Sequence, residues 1–176
     1  MNETVKRLLD ANREYECSGT FIGDVSAKRR EENAAGQKPY AVIITCSDSR
    51  VVPEAIFSAG IGELFVIRTA GNVIGDSELA SLAYAVDHLH ADTVVVLGHT
   101  RCGAVHAALC GEFEGVVGVI TKRIKQAIGG ETDAYKACVL NVKDGVRTIK
   151  KEIGREDVTV AGAVYDIVTG KVLLTD

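Results

Sequence analysis

AVIITCSDSR, residues 41–50, is the stretch that decides the fold. Ala41 to Ile44 are apolar without alternation and mostly β-branched, as expected of a strand buried on both faces of a parallel sheet. The run ends in Cys46, Asp48 and Arg50, so the strand delivers reactive side chains to its carboxyl end, where open α/β sheets bind their ligands. A second stretch, TVVVLGHTRC at residues 93–102, repeats the design with Gly98, His99 and Cys102 after the apolar run. Two such strands in one sheet would bring two sulfurs and an imidazole together. That is a three-ligand zinc set with one tetrahedral position left open.

Gly98 and Gly103 permit the tight turn that an H-x-x-C ligand pair needs. Either motif alone reads equally well as buried core cysteines and a hydrogen-bonded surface histidine, because Cys often behaves as a small hydrophobe. The metal reading rests on both motifs following strand-like runs. Asp48 and Arg50, two residues apart on a turn, can pair so that the carboxylate stays ionised and aimed. The plain alternative is a surface ion pair of little worth.

At 176 residues the chain suits one domain with a substantial core, expected as an N-terminal helical arm over 1–36 and a zinc-binding α/β core over 37–176. Hydrophobic residues at 47% and charged residues at 25% are globular proportions. A net charge of -4 gives no reason to expect nucleic acid or an anionic membrane as partner. The polar N-terminus lacks the apolar core of a secretory signal, and no segment has the roughly 20 apolar residues of a membrane span. Cysteines at 17, 46, 102, 110 and 138 are odd in number and irregularly spaced, which favours reduced thiols in a cytoplasm. A redox role for Cys46 and Cys102 is disfavoured because no C-x-x-C pair is present.

Periodicity predicts helices over 3–16, 24–35 (Asp24 as cap, Gly36 as stop), briefly after Pro53, over 77–90 (Asp76 or Ser77 as cap), 104–110, 116–128 and 131–153. GEFEGVVG, residues 111–118, breaks the helical pattern. Strands are expected at 40–45, 63–68, 93–98, 158–164 and 171–175. The segment 24–35 has few apolar residues, so it reads either as an arm packing on a neighbouring subunit or as a solvated helix. The order implies an α/β fold: four parallel strands and an antiparallel C-terminal strand, flanked by helices.

CSDSRVVPE (46–54), FVIRTAGN (65–72) and GHTRCGAV (98–105) resemble the signature blocks of the β-class carbonic anhydrases. The likeness covers about residues 37–110 in detail and the remainder in outline, and is to the compact bacterial and archaeal members without plant-type C-terminal extensions. It implies one zinc ion per chain on Cys46, His99 and Cys102, and reversible hydration of CO₂ to bicarbonate by hydroxide that the Asp48–Arg50 dyad orients. It also implies a substrate site to which Gln37 donates, which Phe65 and Tyr84 line and to which Gly103 belongs. In the family such pockets lie at a dimer interface, so a homodimer or dimer of dimers is implied. From the residues alone, Phe65 and Tyr84 read as ordinary core aromatics.

Thr69 stands where the family often has Asn, and Thr100-Arg101 fills a variable pair. His88, His90 and His106 are proton-carrier candidates by residue type only. The resemblance further implies a low-pH state in which Asp48 swings onto the metal. Two other functions fit the same ligands: a hydrolase of CS₂ or COS, and a non-enzymatic zinc protein whose fourth position Asp48 fills.

Overall fold

A computed structural model describes residues 2–111 and 114–175. In chain order the elements are α1 (Glu3–Ser18), α2 (Ala27–Glu32), β1 (Ala41–Thr45), α3 (Pro53–Ile56), β2 (Leu64–Arg68), a 3₁₀ turn (Ala70–Asn72), α4 (Asp76–Leu89), β3 (Thr93–His99), α5 (Gly103–Cys110), α6 (Gly118–Ile128), α7 (Ala134–Ile153), β4 (Thr159–Tyr165) and β5 (Val172–Leu174). The strands form one sheet in the order β2-β1-β3-β4-β5. The first three pairings are parallel and β4–β5 is antiparallel. The expected architecture of four parallel strands closed by an antiparallel C-terminal strand is therefore present.

Every residue of β1 and β3 is buried, which is why neither strand alternates in sequence. Their side chains nonetheless divide by the pleat. Val42, Ile44, Val94 and Val96 face Leu82 and Val86 of α4 and Val142 and Ile149 of α7. Ala41, Ile43, Val95 and Leu97 face Leu8 of α1, Ile56 of α3 and Phe57 just after it. Each large side chain so buried contributes roughly 1.5–3 kcal/mol. A Cβ on Gly98 would come 2.5 Å from Val142 Cγ2, so the glycine lets α7 lie against β3 just before His99.

Several helix ends differ from the sequence expectation because a better cap lies nearby. Helix α2 starts at Ala27, not Asp24: Ser26 accepts from Arg29 N at 3.1 Å, while Asp24 closes only a turn onto Ser26 N at 2.9 Å. Asn33 rather than Gly36 follows its last turn, and α2 buries no residue. Helix α4 takes Gly75 as N-cap rather than Asp76 or Ser77, with the Glu78 carboxylate accepting from Gly75 N at 2.8 Å. Helix α7 begins at Ala134 behind Asp133, which accepts from Lys136 N, because Glu131 folds its carboxylate onto the amides of Thr132 and Asp133. Gly111 ends α5 in the left-handed region at φ 79, and Glu112 and Phe113 of the expected helix breaker lie outside the described residues.

Candidate metal centre

The carboxyl ends of β1 and β3 are adjacent, in register from Val42↔Val94 to Thr45↔Leu97. Thr45 Oγ1 fastens them by donating to Leu97 O at 2.7 Å. Cys46 leaves β1, His99 ends β3, and Cys102 caps α5, so three separate pieces of backbone converge. Their ligand atoms all lie within 4.8 Å of one another and all three residues are buried. The two sulfurs are 4.0 Å apart, and two thiolates 2.3 Å from one tetrahedral zinc would stand about 3.8 Å apart.

The histidine is prepared for a cation. His99 Nδ1 lies 2.9 Å from the Thr100 carbonyl, which can only accept, so Nδ1 carries the proton and Nε2 presents its lone pair. Nε2 is buried and has no hydrogen-bond partner among the described residues. A soft donor set with an orphaned imidazole nitrogen fits zinc.

The sulfurs are prepared too. Gly71 N donates to Cys46 Sγ at 3.2 Å. The Cys46 thiol is pulled well below its ordinary range, first by the Cys102 side chain hydrogen-bonded to it and, against the cost of burial, by His99 and the amides of Asp48 and Gly71. Cys102 is driven up by that same hydrogen bond and then by burial. The opposite directions describe one proton shared by two sulfurs, which a bound dication would displace. Cys138 packs behind both and is pushed up to about 11, mainly by burial, so it stays a thiol.

Asp48 stands beside this cluster, its Oδ2 3.9 Å from His99 Nε2. Arg50 grips it with two prongs, Nε to Oδ1 at 2.9 Å and Nη2 to Oδ2 at 2.7 Å, and its own backbone N–H reaches Oδ1 at 3.0 Å. The Arg50 side chain, by these hydrogen bonds, holds the Asp48 carboxyl well below the usual carboxylate range. Arg50 also donates to Arg101 O, joining the two ligand loops.

One protomer does not bring the remaining sequence candidates to the cluster. Gln37 is exposed and precedes β1, whose five residues span about 16 Å before Cys46 is reached. Phe65 is paired with Val42, so Cys46 lies roughly 13 Å further along the strand direction. Tyr84, 49% exposed on α4, sits with its ring 6.4 Å from that of Phe65. Gly103 is different: it follows Cys102 directly, is exposed, and has open space where a Cβ would stand. His88, His90 and His106 are outside the ligand cluster.

Three features beside the cluster escaped the sequence reading: the Arg68 side chain, which donates to the Cys46, Asp48 and Val51 carbonyls, the Gly71 amide and the Thr100 carbonyl. Two of them act through backbone atoms, which have no residue-type signal. Arg68, a charge ending an apolar strand, did carry one.

The family model described as "Carbonic anhydrase" matches residues 41–172, three quarters of the chain, including Cys46, His99 and Cys102. The chain belongs to the carbonic anhydrase family. Carbonic anhydrase 2 of Mycobacterium tuberculosis (strain CDC 1551 / Oshkosh) is 46% identical over 112 residues, covering 64% of this chain and 54% of that protein. The match thus spans about half the length of that relative. The β-carbonic anhydrase CafA of Aspergillus fumigatus superposes with a TM-score of 0.76 at 27% identity, over 98% of this chain and 91% of the other. One of the tetrameric β-carbonic anhydrases of Sordaria macrospora gives 0.72 at 25%, over 98% and 97%. These likenesses place this carbonic anhydrase family member in the β class. No helix among its described residues is long and apolar enough to cross a membrane.

Proposed function

We propose that this chain catalyses the reversible hydration of CO₂ to bicarbonate and a proton, with one zinc ion on Cys46, His99 and Cys102. The observation that carries the reading is the convergence of two sulfurs and an orphaned imidazole nitrogen beside an ionised carboxylate. When bound, zinc supplies Lewis acidity that lowers the pKa of water from 15.7 toward about 7 in favourable sites. The rest falls to the chain. Asp48, kept ionised by Arg50, is an acceptor only, so it takes the proton-bearing side of the nucleophile and leaves a lone pair facing carbon. Arg50 stiffens that carboxylate from two directions.

The grip of Arg50 also weighs against the non-enzymatic alternative. Two charge-assisted hydrogen bonds to the Arg50 guanidinium resist the swing that would make this carboxylate a fourth ligand. For the same reason a low-pH state closed by Asp48 would work against the Arg50 fork.

The substrate pocket, in this reading, is completed by a second copy. Gln37, Phe65 and Tyr84 lie towards the β2 edge of the sheet or its amino end, away from their own chain's metal ligands. The arm leaves Phe21, Ile22 and Val25 exposed at 39%, 61% and 52%, apolar surface suited to a neighbouring subunit. A homodimer or dimer of dimers, each chain one zinc-binding unit in a cytoplasm, follows from this reading.

Zinc content measured together with stopped-flow CO₂ hydration tests the proposal, with CS₂ and COS assayed in parallel. One zinc per chain and rapid CO₂ turnover is the expected result. A zinc-loaded chain inert towards CO₂ but active on CS₂ or COS would assign it to the hydrolase alternative.

A further inference from the structure

Asn141 lies on α7, 95 positions after Cys46 in sequence. It is 6% exposed, and its Nδ2 donates to the Gly71 carbonyl at 2.8 Å. Gly71 in turn donates its backbone N–H to Cys46 Sγ at 3.2 Å. Gly71 sits in the left-handed region, at φ 67 and ψ 21, in a 3₁₀ turn of only three residues. So short a turn has little regular hydrogen bonding of its own to hold that conformation. The side chain from α7 is an anchor from outside it.

We propose that Asn141 is a positioning residue for the Cys46 ligand: it holds Gly71 so that the Gly71 amide stays on the sulfur. The inference rests on the reading of Cys46 as a metal ligand. An N–H donor on a thiolate draws electron density from sulfur, so the cation bound there keeps more of its Lewis acidity. Two thiolates otherwise neutralise most of a dication's charge. A device that restrains one of them is therefore useful at this site in a way that it would not be at an all-histidine one.

Cadmium-113-loaded protein gives the direct test, because an N–H···S–Cd arrangement transmits a scalar coupling from the metal to the amide proton. The unsubstituted chain is expected to show that coupling at Gly71. Asn141→Leu keeps approximate size and loses the donor, while Asn141→Asp keeps shape and offers an acceptor in its place. Both variants are expected to lose the coupling, to shift the sulfur-to-cobalt charge-transfer band of cobalt-loaded protein, and to bind zinc about 10–100-fold more weakly. A purely structural role would lower the unfolding temperature and leave band and coupling in place. That result overturns the proposal, as does bound cadmium with no coupling to Gly71 in the unsubstituted chain. An unsubstituted chain that binds neither metal would instead remove the metal centre itself.

Discussion

Arg68, the last residue of β2, donates through Nη2 to the backbone carbonyl of Asp48 at 2.8 Å. The same guanidinium reaches Val51 O at 2.8 Å and Cys46 O at 3.2 Å. One side chain thus holds three carbonyls of the loop that carries the candidate ligand Cys46 and the Asp48 carboxylate. Lys cannot reproduce this fork, since an ammonium is a point charge without fixed planar geometry. Arg68→Lys is expected to retain zinc and lose about tenfold to a hundredfold in kcat, as outer-shell partners of metal sites commonly do. Metal analysis beside stopped-flow kinetics checks it; full activity in Arg68→Lys would show that the loop holds itself.

The pH response of Asp48 follows from Arg50. A carboxyl whose folded pKa is depressed contributes stability that is present above its unfolded pKa, near 3.9, and lost as pH falls through the lower folded value. Asp48 is such a group, held down chiefly by the Arg50 side chain. Its carboxyl carbon resonance should therefore stay flat from pH 7 down to about 4. In Arg50→Gln the inflection should move up into the ordinary carboxylate range near 4. An inflection there in the unsubstituted protein would mean the pair is not formed in solution.

Much of this was legible from order and chemistry. Two unbroken apolar runs ending in Cys46 and His99 identified both central strands, and parallel pairing then required their ligands to meet. What the sequence obscured was local. Asp24 and Ser26 are equally good caps on paper, and only the Ser26 bond to Arg29 N shows which one starts α2. The Gly71 amide and the Thr100 carbonyl work through backbone atoms that every residue possesses, so nothing in residue type marks them. Gln37, Phe65 and Tyr84 matched family positions, but a single chain holds them away from its own ligands.

Gly71 should be the least replaceable glycine near the candidate metal centre. An added Cβ would meet Ile124 Cδ1 at 2.7 Å and Ala104 Cβ at 3.0 Å, and φ is 67. The left-handed backbone costs an L-residue roughly 1–2 kcal/mol, and forcing a methyl into a packed core about 1–3 kcal/mol more. Gly71→Ala is therefore expected to lose about 2–5 kcal/mol in urea unfolding and to bind zinc less tightly. Gly130→Ala, with open space at the same atom, should stay within about 0.5 kcal/mol of the parent. Equal effects at the two positions would count against the packing argument.

If Gln37 serves the metal centre of a second copy, two crippled variants should repair each other. Asp48→Asn removes the oriented carboxylate of its own site, and Gln37→Ala removes a donor from the neighbour's. In an isologous dimer that exchanges subunits freely, half of the dimers formed from an equal mixture are mixed. Each mixed dimer then holds one doubly damaged site and one intact site. Half the dimers with one of two sites restored should return about a quarter of full activity to the mixture, well above either parent alone. Were Gln37 to act within its own chain, every site in the mixed dimer would still carry one lesion and mixing would recover nothing. Refolding the two variants together and apart, followed by CO₂ hydration at equal zinc content, separates the outcomes. The five-residue length of β1 between Gln37 and Cys46 favours the exchange.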